Sequence, residues 1–194
     1  MYTLELPNTK EQNYVLSSLN KSGWSGTWKA IGGKIHVFDA ISTLKTYIDK
    51  NRKLDYYNCE LLAMQLGNQI ASLTKFNKGF LQMSPDNIIV FKNAFILNNL
   101  DTALPYDNKF EYLISSLQQY AGYVAPELKY LKHIPFKIHY EAIYYSIALL
   151  CLDMLAINNI ENIENIENIE GTKMYYFLKR CLREDARNRK FLFI

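Results

Sequence analysis

The sequence predicts an α+β fold, mainly helical. Apolar residues recur at helical spacing over most of the chain, while strand signals are confined to an N-terminal patch and one later hairpin. No regular βαβ alternation joins them, which separates this pattern from an α/β sheet. Of 194 residues, 49% are hydrophobic and 21% charged, a balance that excludes disorder throughout. A chain of this size suits one domain with at most a small annex, and its core needs no metal or disulfide staple.

Residues 11–20 predict the first helix, with Val15, Leu16 and Leu19 on one face and Thr9 placed to cap it. Residues 22–26 read as a turn. Residues 27–31 and 34–38 read as strands joined by Gly32-Gly33, a strong hairpin signal. Leu44 and Ile48 support a helix over 40–50, and Leu62, Leu66, Ile70 and Leu73 support a longer one over 56–76, closed by Gly79. A second hairpin follows: 88–91, a turn at Lys92-Asn93, and 94–97. Helical periodicity returns over 109–120. Pro126 and Pro135 mark a loop-rich interval before an apolar helix at 140–156. Over 158–170 the triplet Asn-Ile-Glu repeats, and a three-residue period fits neither helix nor strand. It reads as a slipped-codon insertion in a surface loop with solvated charge. The end of the chain reads as helix, basic turn and apolar tail.

Composition also bounds function. Cys59, Cys151 and Cys181 are odd in number and form no C-x-x-C pair, so they read as buried free thiols of an intracellular, cytoplasmic protein. The first residues lack a basic stretch followed by an apolar run, so no signal peptide is expected. The apolar stretch 142–157 includes Tyr144, Tyr145, Ser146 and Asp153, too short and too polar to span a bilayer, and no membrane partner is expected. A net charge of +3 is too weak to argue for nucleic acid, and none is expected. Fifteen tyrosines and abundant Asn, Ile and Lys suggest an A/T-rich genome, such as that of a large DNA virus or an intracellular parasite. A viral origin would place the protein in the host cytoplasm or the virion.

Three segments carry a more specific signal. Gly79 to Asn87 reads GFLQMSPDN and runs into an apolar strand. Gly122 to Glu127 reads GYVAPE, and Arg180 to Arg189 reads RCLREDARNR, with the long apolar helix between these two. In that order they resemble the C-terminal lobe of protein kinases: the latter half of the H-R-D-L-x-x-x-N catalytic loop, the Y-x-A-P-E end of the activation segment, and the CL-x-x-D-P-x-x-R stretch. The resemblance covers about residues 11–189. It implies a kinase-like helical lobe at 40–194, interrupted by the insertion at 158–170, and a reduced N-terminal lobe at 1–39. In that remnant the helix 11–20 stands for helix C, and the two strands for the fourth and fifth of the upper sheet.

The structural parts of the family pattern are retained. The resemblance implies that Glu127 pairs with Arg189, a bidentate link suited to holding two distant segments in register. The helix 140–156 would be the central helix F, although its usual Asp falls on Ile143 when Ser146 is aligned. The chemical parts are lost. The catalytic Asp position falls on Gln82, with Phe80 and Leu81 for His and Arg, and an amide has no useful basicity. Asn87 survives as a possible metal ligand. The D-F-G position falls on Asn99-Leu100-Asp101; Asn99 removes the anionic magnesium ligand, and Asp101 replaces it only if the loop slips by two residues. About ten residues precede the first helix, too few for three strands with a glycine-rich loop and phosphate-pairing lysine. Lys29 follows the helix, in the wrong order, and Gly23 to Gly26 reads as a turn.

Phosphoryl transfer depends on positioning and electrostatics, so these losses together predict no kinase activity and no cofactor. The expectation is a truncated pseudokinase that binds another protein as a scaffold or regulator. The rival readings are an atypical Ser/Thr kinase using Asn87 and Asp101, and a structural virion component built on the fold. Tyr2, Tyr14, Trp24 and Trp28 either contact that partner or pack in the core. His36, His133 and His139 lack metal-ligand spacing, and no G-x-S-x-G or H-E-x-x-H occurs. Lys179, Arg180, Arg183, Arg187, Arg189 and Lys190 read as helix-end charge plus the structural Arg189.

Overall fold

The computed structural model describes residues 3–20, 28–38, 42–51, 54–91, 94–98, 100–115, 120, 122–155 and 169–191. Its elements run β1 (Thr3–Pro7), α1 (Lys10–Asn20), β2 (Trp28–Ile31), β3 (Lys34–Phe38), β4 (Ser42–Thr43), α2 (Leu44–Asn51), α3 (Tyr56–Leu73), β5 (Lys78–Gly79) and β6 (Gln82–Met83). Then come β7 (Ile88–Phe91), β8 (Ala94–Leu97), β9 (Leu104–Pro105), β10 (Glu111–Ile114) and β11 (Tyr123–Val124). The chain continues with α4 (Pro126–Lys129), β12 (Phe136–His139), α5 (Ala142–Met154) and α6 (Lys173–Cys181). Helices with small antiparallel sheets make this an α+β fold. Two compact units result: Met1–Phe76 with Pro85–Ala103, and Asn77–Ser84 with Leu104–Ile194.

In the first unit, Thr9 accepts the Gln12 amide at 3.1 Å and starts α1, whose Val15, Leu16 and Leu19 are buried. The β2–β3 hairpin turns at Gly32 (φ +58°) and Gly33 (φ +77°), a two-residue turn that needs positive φ at both positions. Ile35 and Val37 point into the core beside Leu6. Sequence reading placed no strand ahead of α1. The structure places β1 there, paired antiparallel to β3, so the sheet has three strands in the order β1-β3-β2.

Asp55 caps α3 by accepting the Asn58 amide at 2.8 Å. Leu62, Leu66, Ile70 and Leu73 are buried along it, as their spacing predicts. All residues of β7 and β8 are buried. Gln65 and Gln69 on α3 satisfy the β8 backbone: Phe95 N–H donates to Gln65 at 2.8 Å, Leu97 N–H to Gln69 at 2.9 Å, and Gln69 donates to the Phe95 carbonyl at 2.7 Å. The long helix ends at Leu73, then tightens to a 3-10 turn at Thr74–Phe76. Asn77, at φ +51°, supplies the left-handed residue expected of Gly79.

The second unit is organised around α5, ten of whose thirteen residues are buried. Thr172 caps α6 through the Tyr175 amide at 3.2 Å. Gly79 lies in β5, where an added Cβ would strike the Tyr112 hydroxyl. The helix expected over 109–120 is not formed over 109–115, and residues 116–119 lie outside the described residues. Residues 111–114 are β10, paired with β12, with Tyr112 and Ile114 buried and Leu113 exposed. That alternation is the strand period, and Phe110 at φ +61° breaks any helical run. Pro126 opens α4 instead of a loop, in the first helical turn where proline is tolerated.

The expected turns at 22–26 and Lys92-Asn93 lie outside the described residues, as do 158–168 of the repeat; at its end Ile169 is buried and Glu170 exposed. All three cysteines are free and buried. Among the described residues, no helix is long and apolar enough to cross a membrane.

Candidate functional site

A densely bonded polar group joins α4 to the turn after α6. Pro126 fixes the start of α4 and puts Glu127 in its first turn. The Asp185 side chain accepts the Arg187 amide at 3.0 Å and starts the 3-10 turn Ala186–Asn188, which delivers Arg189. Arg189 is fully buried and Glu127 is 19% exposed at its side chain. The guanidinium donates to Glu127 Oε1 at 2.5 Å and Oε2 at 3.0 Å, to the Arg183 carbonyl at 2.7 Å, and to the Glu184 carbonyl at 2.6 Å. It also stacks 4.8 Å from the Tyr145 ring centroid. A buried cation requires such saturation, because desolvation otherwise exceeds the Coulombic gain.

Around the pair is a cavity of about 220 Å³ lined by Glu111, Glu127, His139, Glu184, Asp185 and Arg187, among others. Arg187 reaches Glu111 at 3.0 Å, and Lys137 bridges Asp107 at 3.1 Å and Glu111 at 3.4 Å. Both cations are largely exposed, so these bridges contribute little. His139 Nδ1 lies 3.3 Å from Glu141 Oε2. Burial pushes the Glu141 carboxyl up to about 7, against the pull of Lys190 and Arg189. Burial, with Arg187 nearby, lowers His139. Desolvation thus disfavours the charged form of both groups despite their ion-pair distance, and His139 Nδ1 has no hydrogen-bond partner.

The positions that the sequence reading aligned with a kinase catalytic loop and D-F-G segment divide between the units. Gln82 is exposed on β6, opposite Val124 of β11, in the second unit, with Phe80 and Leu81 buried before it. Asn87 ends a 3-10 turn in the first unit, half-buried, its carbonyl accepting the Asn98 amide at 2.8 Å. Asp101 falls in the 3-10 turn Leu100–Thr102, while its side chain, and Asn99 altogether, lie outside the described residues. Of the residues singled out by sequence, Glu127 and Arg189 are the pair the structure brings together. Ile143 and Ser146 are both buried on α5, and the Ser146 hydroxyl has no partner. Sequence reasoning missed a second polar link on α5, where the Tyr123 hydroxyl donates to Asp153. Burial and that bond raise the Tyr123 phenol well above its ordinary value. An isolated carboxylate in an otherwise apolar helix was the available signal.

The remaining candidates have internal roles. Arg183 donates to the Asn188 carbonyl at 3.3 Å, and Lys179 lies 5.7 Å over the Tyr175 ring. His133 packs edge-on against Phe136, and His36 lies 3.9 Å from Glu5. Lys29 is exposed on β2. Trp28 packs against the first unit's core and Tyr14 against Phe76; Tyr2 and Trp24 lie outside the described residues. Among the described residues, no group of three or more His, Cys, Asp or Glu is placed to hold a metal ion. Compared with known proteins, the chain matches no family model and no curated protein at a significant level.

Proposed function

We propose that this is a catalytically inactive kinase-like protein that binds another protein as a scaffold or regulator. The observation that carries the reading is the buried Glu127–Arg189 fork. The glutamate of GYVAPE and the last arginine of RCLREDARNR, 62 residues apart, meet in the bidentate arrangement that the resemblance implies. The order of helix, strands, long helix, buried hairpin and apolar helix also supports a kinase-like helical lobe with a reduced upper one.

Inactivity follows from chemistry. An exposed amide at Gln82 takes no proton from an attacking hydroxyl, and Asn99 offers no charge to magnesium. Buried free thiols are consistent with a reducing, intracellular setting. Thermal unfolding with and without ATP and magnesium tests the reading, and we expect no shift in melting temperature. A magnesium-dependent rise would favour the atypical kinase built on Asn87 and Asp101. Co-purification with virus particles would favour the virion component over a soluble regulator.

A further inference from the structure

A cavity of about 480 Å³ lies in the first unit, where α1 meets α3. Tyr14, Ser17 and Ser18 line it from α1; Ser72 lines it from α3 and Lys75 from the 3-10 turn that follows. Helical spacing brings them together, since residues three and four apart share a face. Ser18 and Ser72 are each 8% exposed, whereas Ser17 and Lys75 are open to solvent, so the cavity has both a buried wall and a mouth. Its volume suits a small molecule.

The hydrogen bonds already made fix what this lining still offers. The Ser17 hydroxyl donates to the Asn13 carbonyl at 2.8 Å, Ser18 to Val15 at 2.6 Å, and Ser72 to Asn68 at 2.8 Å. A carbonyl cannot donate, so each hydroxyl has spent its one proton on its own helix and keeps only lone pairs for a ligand. Lys75 is the opposite case. Its ammonium donates to the Tyr14 hydroxyl and lies 4.6 Å from the centroid of that ring. An ammonium accepts nothing, so the Tyr14 proton is still available, as are two N–H groups of Lys75. Lys75 has no carboxylate partner among the described residues, and no described acidic side chain lines the cavity.

We infer that this cavity binds a small polyhydroxylated anion, a sugar phosphate or a sugar acid. Its charged group meets Lys75 and Tyr14, and its hydroxyls donate to the oxygens of Ser17, Ser18 and Ser72. A zwitterion is disfavoured, because its ammonium would find no carboxylate in the lining. A nucleobase is disfavoured too: the Tyr14 ring already carries Lys75 and meets Phe76 edge-on at 5.7 Å, which leaves it a poor stacking platform. The site contains none of the positions aligned with kinase catalytic segments, so the inference goes beyond the function proposed above.

The test is isothermal titration calorimetry on the full chain, with glucose 6-phosphate, gluconate, glucose and inorganic phosphate as probes. At least one of the two sugar anions is expected to bind, and which one does identifies the charged group. Neutral glucose should bind at least about tenfold more weakly, as should the same anion to Lys75→Met, and high salt should weaken the anion further. Ser72→Ala should weaken the sugar anion about threefold or more and leave inorganic phosphate unchanged, which separates the acceptor wall from the charge. Lys75 is exposed and alanine suits a helix interior, so both variants are expected to fold, and thermal melts check this. Binding of neither anion, equal binding of glucose, undiminished binding to Lys75→Met, or inorganic phosphate binding as tightly as glucose 6-phosphate would each overturn the inference. None of these probes reports on phosphoryl transfer from nucleotide, so its failure leaves the inactive-kinase reading standing, and the reverse holds.

Discussion

Replacing Glu127 by alanine removes both acceptors from a guanidinium that has no solvent exposure. Two backbone carbonyls and the Tyr145 ring remain to it, and none neutralises its charge. Breaking a buried pair from one side costs about 3–5 kcal/mol, and the partial exposure of Glu127 places this case near about 3. For a chain of this length, each kcal/mol moves the melting temperature by about 2–4 °C, so a fall of about 6–12 °C is expected. Circular dichroism on heating provides the measurement. Arg189→Lys keeps the charge and loses the fork, and should fall between wild type and Glu127→Ala. Glu127→Ala/Arg189→Met removes the stranded charge and should recover part of the loss. A drop below about 2 °C for Glu127→Ala would refute the view that this pair ties α4 to the C-terminal turn.

Further expectations concern single packing and titration events. Gly79→Ala should destabilise by about 1–3 kcal/mol through the clash with Tyr112, and Tyr112→Phe should relieve it, since that hydroxyl has no hydrogen-bond partner; urea titration of the single and double variants tests both. Gln69→Leu strands the Phe95 carbonyl and the Leu97 amide, and should cost about 2–5 kcal/mol with faster hydrogen exchange in β8. The raised Glu141 carboxyl binds a proton in the folded state that the unfolded chain has released, so its contribution to stability falls as pH rises from about 4.5 to about 7. The lowered His139 acts in the opposite sense, adding stability as pH rises toward 6.5. Glu141→Gln should therefore flatten the decline in stability between about pH 4.5 and about pH 7, measured by urea unfolding, and an unchanged profile would contradict the burial argument.

Local signals were strong where one element carried its own code. The Thr9 cap, the Gly32-Gly33 turn, the leucine spacing of α3 and the apolar run of α5 each specify structure within a few residues, and each is found. Elements that depend on distant partners were less legible. β1 is a strand because β3 lies beside it, and little in Thr3–Pro7 announces that pairing. β10 was read as helix because its apolar residues satisfy either period over so short a window; its pairing with β12 decides the matter. The stop after α3 fell to Asn77, whose short polar side chain tolerates positive φ, while Gly79 is required small by the Tyr112 hydroxyl. At the candidate site, motif context joined Glu127 to Arg189 across the chain. Nothing local announced the two further acceptors on Arg189, the Arg183 and Glu184 carbonyls, because backbone groups leave no mark in a sequence.

The central claim is that amides stand where phosphoryl transfer needs carboxylates. It is tested most directly by incubating the purified chain with magnesium and γ-labelled ATP, alone and with a generic protein acceptor. The account predicts no label on the chain or the acceptor above the protein-free background. Transfer that rises with protein concentration and disappears in Asp101→Asn would contradict it.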